Sequence, residues 1–279
     1  MPTPHISFIA SSVRPHLWEP CFESLAGNKM GFEVVFGGPL TKDIVDPFIR
    51  KYDFFRYIHT GDIKPSQVYE CCRRAAKGWY TLWMADDCEF SPNFVEVVRN
   101  AIHCLPDNSL LSIKTNEDGK NNDLNDHRFF SENYNIPLMA PLGCMATSLL
   151  QSIGGFDRRY VCGQYENDVA MRIWAMGGQV VKCEDACVTI EHLKKHGSST
   201  KFWSGYDHDR KILEDTWVIG GYHPIPKPKR VFMPSQDCPM ELYFPIQNRE
   251  VSLRRFDKFE PYSGEDILTK SQSFAGQWE

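Results

Sequence analysis

Short apolar runs alternate with amphipathic segments four times within the first 114 residues, and this alternation restricts the fold more than any other feature of the chain. The runs are HISFIA at 5–10, FEVVF at 32–36, 54–59 and 79–84, with SLLSIK at 109–114 following the fourth amphipathic segment. Between them the pattern predicts helices over 17–25, 42–51, 66–77 and from the Ser91-Pro92 cap to about 104. Pro20 is tolerable only in the first turn of its helix, and Gly37-Gly38-Pro39 stops the second strand. Strand–helix repetition of this kind predicts an α/β chain with a doubly wound, mostly parallel sheet.

The pattern breaks at 115–135, a stretch crowded with Asn, Asp, Glu and Lys that reads as an excursion over one face. Order resumes at 137–147, followed by a short helix and the turn Gly154-Gly155-Phe156-Asp157. A helix is expected over 166–176, ended by Gly177-Gly178, then short strands at 179–183 and 187–191 joined by a Glu184-Asp185 turn, and a helix at 207–215. From Gly220 prolines recur and apolar periodicity is lost. The expected division is therefore a domain over 1–219 and an extended C-terminal tail over 220–279 packed on it.

A net charge of -5 argues against nucleic acid as a partner. Ten cysteines without regular spacing point to a reducing compartment. The N-terminal residues show no basic region followed by an apolar one, and no window approaches the roughly twenty apolar residues that span a bilayer. The expected location is cytoplasmic. The tail carries Lys227, Lys229, Arg230, Arg254 and Arg255, which would suit peripheral contact with a membrane surface or an acidic, lipid-linked acceptor, or else form a solvated loop.

The chemistry is expected at WYTLWMADDCE, 79–89. Its apolar half reads as a strand buried on both faces, so Asp86 and Asp87 fall at the carboxyl edge of the sheet, where open α/β sheets bind ligands. Adjacent carboxylates repel unless a cation or donor lies between them, and a divalent metal is the usual solution. A solvated, helix-capping turn is the alternative. In the later helix Val169, Ile173 and Met176 share the core side, and Glu166 lies within about 60° of its centre. Asp168 points nearly the opposite way and has Arg172 at i+4, the pattern of a surface ion pair. Glu166 is thus the better catalytic candidate, with Asp168 a second acid of the segment. At a helix N-terminus Glu166 is expected as the anion. A set of Cys183, Cys187, His192 and His196 looks zinc-like in its outer gaps, but the pairs stand too close for a zinc finger.

In order and spacing, the acidic turn, GGFD, the Glu166 helix start, Arg172, Gly177-Gly178 and Glu191-His192 resemble a GT-A glycosyltransferase of family 2 layout over 6–192. The segment Glu166-Asn167 with Arg172-Ile173-Trp174 is also similar to polypeptide N-acetylgalactosaminyltransferases. The resemblance implies a Rossmann-like GT-A sheet, a nucleotide-diphosphate sugar as donor and a hydroxyl acceptor, glycan, lipid-linked or protein. It implies Asp87 and His192 as ligands of Mn²⁺ or Mg²⁺, the imidazole favouring Mn²⁺. Glu166 becomes the base if configuration inverts, and an acceptor-positioning group if it is retained. Ser11, Arg14, Gly37, Lys64, Gln67 and Asp86 are the candidates on the nucleotide side. Two departures stand out: Ala85 replaces the first Asp of the acidic triplet, and the second strand ends in Gly37-Gly38 where such families carry a base-contacting Asp. They leave open a binding module without turnover. A sugar nucleotidyltransferase ranks third, because 11–15 lacks glycine.

Overall fold

The computed structural model describes residues 4–61, 63–117, 138–157, 159–190 and 205–216. The expected excursion from 118 on, His192, His196 and the whole tail lie outside the described residues.

The first half follows the alternation. Strands β1 (Ile6–Ser11), β2 (Phe32–Gly38), β3 (Phe55–His59) and β4 (Tyr80–Trp83) are separated by helices α1 (Trp18–Ala26), α2 (Lys42–Lys51) and α3 (Pro65–Ala75). Then come β5 (Cys88–Phe90), α4 (Phe94–His103), β6 (Ser109–Glu117), β7 (Gly143–Ala146), α5 (Thr147–Ser152), α6 (Tyr165–Ala175), β8 (Gln179–Ile190) and α7 (Tyr206–Thr216). All eight strands form one sheet in the order β3-β2-β1-β4-β7-β6-β8-β5. β1, β2, β3 and β4 pair in parallel, as do β6 and β8, whereas β7 is antiparallel to β4 and β6, and β5 to β8. The sheet is mostly parallel. Residues 6–10 of β1 are all inaccessible to solvent, so both faces of the sheet centre are covered.

Three expectations are corrected. The helix expected from a Ser91-Pro92 cap begins later: the acidic turn opens β5, and α4 starts at Phe94 behind Asn93 in the left-handed region (φ 55°). The two short strands around Glu184-Asp185 are one strand, β8. Cys183 stands opposite Ile113 and Cys187 opposite Lys114, so 184–186 form a bulge rather than a turn. The strand expected to end at Lys114 runs on to Glu117, because β8 pairs with it that far.

The parallel strands β1 and β4 end on the same side, and their carboxyl ends deliver Ser12, Arg14, Asp86 and Asp87 to one edge. Sequence order alone would not put α6 there. It is brought in by the GGFD turn, whose Phe156 is fully buried and packs edge-on against Tyr69 of α3, Trp83 of β4 and Tyr165 of α6. Gly143 makes room for this cluster, since a Cβ there would strike the Trp83 ring.

Candidate active site

Asp86 is 2 % exposed and is met from one side by the β1–α1 connection. The Ser12 hydroxyl donates to Oδ2 at 2.8 Å, the Arg14 backbone N–H to Oδ2 at 3.3 Å, and Arg14 Nε to Oδ1 at 3.0 Å. Arg14 Nη2 donates to Asp86 Oδ1 and stands 3.1 Å from Asp87 Oδ2. Trp18 Nε1 donates to the Ser12 hydroxyl at 2.6 Å, which fixes its direction. The cation between the two carboxylates is therefore a guanidinium of the chain itself. Burial raises the Asp86 carboxyl above its ordinary range, Arg14 pulls it back and Asp87 pushes it up again.

Glu166 lies in the first turn of α6, behind Gln164, whose left-handed backbone (φ 64°) starts the helix. Burial pushes the Glu166 carboxyl up to about 7, the backbone N–H groups of Glu166 and Gln164 draw it down, and Asp209 of α7 adds to the rise. This reverses the expectation of a helix-stabilised anion: the cost of burying the charge outweighs the helix N-terminus. Its Oε2 is buried and has no hydrogen-bond partner among the described residues. Tyr69 joins the two halves of the site. Its hydroxyl donates to the Met84 carbonyl at 2.5 Å, directly before the acidic turn, and lies within electrostatic reach of both Asp86 and Glu166.

The other candidates separate. Asp168 is not on the surface: it is fully buried, and Arg172 Nη2 stands 3.0 Å from its Oδ2 while Nη1 donates to the Ile153 carbonyl at 2.7 Å. The expected ion pair with Arg172 forms, but it is buried, with Arg172 held against the Ile153 carbonyl at the end of α5. Gly37 faces helix α3, where a Cβ would meet Val68 Cγ1 at 2.7 Å and Cys72 Sγ at 2.8 Å. At Gly38 a Cβ would meet the Tyr57 hydroxyl and the Ser12 carbonyl at 2.5 Å. The space of the missing strand-end acid is thus filled by Tyr57, which donates to that carbonyl at 3.0 Å and accepts the Leu40 N–H at 3.3 Å. Gln67 caps α3, its Oε1 accepting the Lys64 N–H at 3.2 Å. Ser11 ends β1 opposite Gly37. His192 is outside the described residues, two positions beyond Ile190, which pairs with Cys88, the residue after Asp87. Ser12, Trp18, Tyr69 and Asp209 were not singled out by sequence. Of these, Ser12 had a signal in hindsight, lying in the same polar turn as Arg14.

Among the described residues no three Asp, Glu, His or Cys side chains converge as a metal cluster. The donor chemistry nevertheless suits a hard divalent ion, because such ions are often held by one or two carboxylates completed by substrate phosphates. Asp87, with a side chain 5 % exposed and less engaged by Arg14 than Asp86, supplies one such carboxylate.

Sequence comparison with family models finds no match, and comparison with curated proteins finds none. Solved structures do match. The mannosyltransferase PcManGT from Pyrobaculum calidifontis, in complex with GDP-Man and Mn²⁺, superposes with a TM-score of 0.59 at 14% identity, over 98% of this chain and 80% of its own. GalNAc-T7 with UDP, GalNAc and Mn²⁺ gives 0.59 at 11% identity, over 98% and 58%. S. aureus TarS 1-349 with UDP gives 0.52 at 15% identity, over 67% and 60%. This chain has the GT-A fold. It spans about three fifths of the TarS and GalNAc-T7 chains it matches. Within the GT-A frame, the carboxyl edge of β1 and β4 is where Asp86, Asp87 and Arg14 converge. No helix among the described residues is long and apolar enough to cross a membrane.

Proposed function

We propose that this chain is a glycosyltransferase that moves a sugar from a nucleotide-diphosphate donor to a hydroxyl acceptor, with inversion. The observation that carries the proposal is Glu166: a carboxyl poised near 7, with a buried Oε2 that has no partner among the described residues, across Tyr69 from the acidic turn. A base that works near neutrality needs such a midpoint and a free lone pair toward its acceptor. In the proposed step Glu166 Oε2 takes the acceptor hydroxyl proton as that oxygen bonds to the anomeric carbon. The carbon–oxygen bond to the diphosphate breaks, and its electron pair leaves on the diphosphate. Asp87, with His192, would hold a divalent ion, which when bound supplies positive charge to the diphosphate. Arg14 keeps Asp86 and Asp87 together, and Ser12 orients Asp86. Asp168 with Arg172 braces the helix rather than touching substrate. The similar structures hold UDP, GDP-Man and Mn²⁺, which supports the donor class.

Ala85 and the occupied space at Gly38 favour a second reading, a nucleotide- or glycan-binding module without turnover. Release of nucleoside diphosphate from a panel of UDP- and GDP-sugars, with and without Mn²⁺, separates the two. Turnover that falls in Glu166→Gln supports the transferase. Donor binding by calorimetry with no turnover under any condition supports the module.

A further inference from the structure

Asp209, in the first turn of α7, is inaccessible to solvent. Its Oδ1 accepts the N–H of Val161 at 2.7 Å, and its Oδ2 accepts those of Cys162 at 2.7 Å and Gly163 at 2.8 Å. Three successive donors on one carboxylate are charge-assisted bonds, and they answer backbone groups that a half-buried loop would otherwise leave short of partners. The same loop is held from α3, where the Ser66 N–H donates to the Val161 carbonyl at 3.3 Å and the Ser66 hydroxyl donates to the Tyr160 carbonyl. Ahead of α7, Gly205 lies so close that a Cβ would meet Val161 Cγ1 at 2.8 Å. The loop runs straight into Gln164 and the first turn of α6, where Glu166 stands.

We infer that Asp209 is the positioning residue for Glu166: by clamping 161–163 it sets where the α6 N-terminus, and with it the Glu166 carboxyl, is held. This rests on the proposal that Glu166 is the base. The groups facing Glu166 are Asp209 from α7, Tyr69 from α3, Tyr165 of its own helix and Cys162 of the clamped loop. Burial pushes both tyrosines up and the Cys162 thiol up to about 12, so these three stay neutral where Glu166 titrates. Among the described residues, Asp209 is the one whose electrostatic effect on Glu166 is to raise it.

The test is carboxyl NMR titration of Glu166 together with amide hydrogen exchange in the full chain. In the wild type the 161–163 amides should exchange as slowly as the interior of α6. Asp209→Asn should speed them about tenfold or more and lower the Glu166 midpoint by about one unit. Asp209→Glu, which keeps the charge, should restore most of the midpoint, and Asp207→Asn, exposed on the same helix, should change neither readout. Unprotected loop amides in the wild type overturn the inference, as does Asp209→Asn with faster amides and an unmoved midpoint, the mark of a merely structural residue. Should Asp209→Asn not fold, Asp209→Glu decides: faster 161–163 amides with a midpoint still short of the wild-type value support the clamp, while unchanged amides, or faster amides with an unmoved midpoint, overturn it. None of these readouts needs turnover. A wild type that transfers no sugar therefore defeats the transferase proposal alone, while the clamp is still judged by exchange and titration.

Discussion

Two glutamates on neighbouring helices, one buried and one half-buried, have opposite fates. Glu70, on α3, accepts Arg73 Nε at 2.8 Å and Nη2 at 2.6 Å, Arg74 Nε at 2.7 Å and the Phe156 N–H at 3.1 Å. Burial alone would raise it, but the two guanidiniums outweigh burial and hold it down at about 2. Glu166, on α6, has no arginine acting on it among the described residues, and burial lifts it to about 7. The same side chain is a permanent anion where two guanidiniums meet it and a proton acceptor where none of the described residues supplies a cation. Partners decide the difference, and partners are what a sequence does not print. Glu70 is how the GGFD turn is anchored; Glu166 is what the anchored turn presents.

The largest effect should come from making Glu166 unable to accept a proton. Glu166→Gln keeps the shape and should lose about 10²–10⁴-fold in transfer with little change in donor affinity, measured by turnover and calorimetry side by side. Glu70→Ala should do the reverse. It strands Arg73 and Arg74 inside and should cost about 3–5 kcal/mol in denaturant unfolding. A Glu70→Ala chain of unchanged stability would erase the contrast.

A smaller effect is expected at the turn that Glu70 anchors. Gly155 has φ 69° and lies against the Glu70 carboxylate, so Gly155→Ala combines backbone strain with a clash. A loss of about 1–3 kcal/mol in thermal unfolding is expected. The pH dependences have opposite signs. Glu70 is depressed from 4.5 to about 2, so its contribution is present above 4.5 and fades as pH falls toward 2. The full span is about 3 kcal/mol, measurable as acid unfolding. Glu166 is raised from 4.5 to about 7, so whatever stability it lends is present below 4.5 and lost as pH rises through 7. Glu166→Gln should match the wild type in acid and gain on it as pH rises through 7, over a span comparable to that of Glu70 but opposite in sign.

The alternation of apolar runs made the parallel half of the sheet legible, because each run there holds all or most of a strand. The antiparallel insertions were not. β5 is three residues long and owes its existence to β8, and β7 enters between β4 and β6 with no local signal of its position. At the site, Asp86, Asp87, Arg14 and Glu166 were legible as residues but not as partners. That Arg14 would bridge the acidic turn, or that Asp168 would be buried with Arg172, depends on contacts between segments 72 or more residues apart or on cover from α5. Asp209 was illegible for the same reason, since its partners lie 46 to 48 positions earlier.

The most direct measurement is the pH profile of kcat/KM for sugar transfer by the wild type and by Glu166→Gln. The wild type should show an acid limb with its midpoint near 7, and that limb should be absent from the residual rate of the variant. A limb that survives in Glu166→Gln, or a wild-type midpoint in the ordinary carboxylate range, would contradict Glu166 as the base.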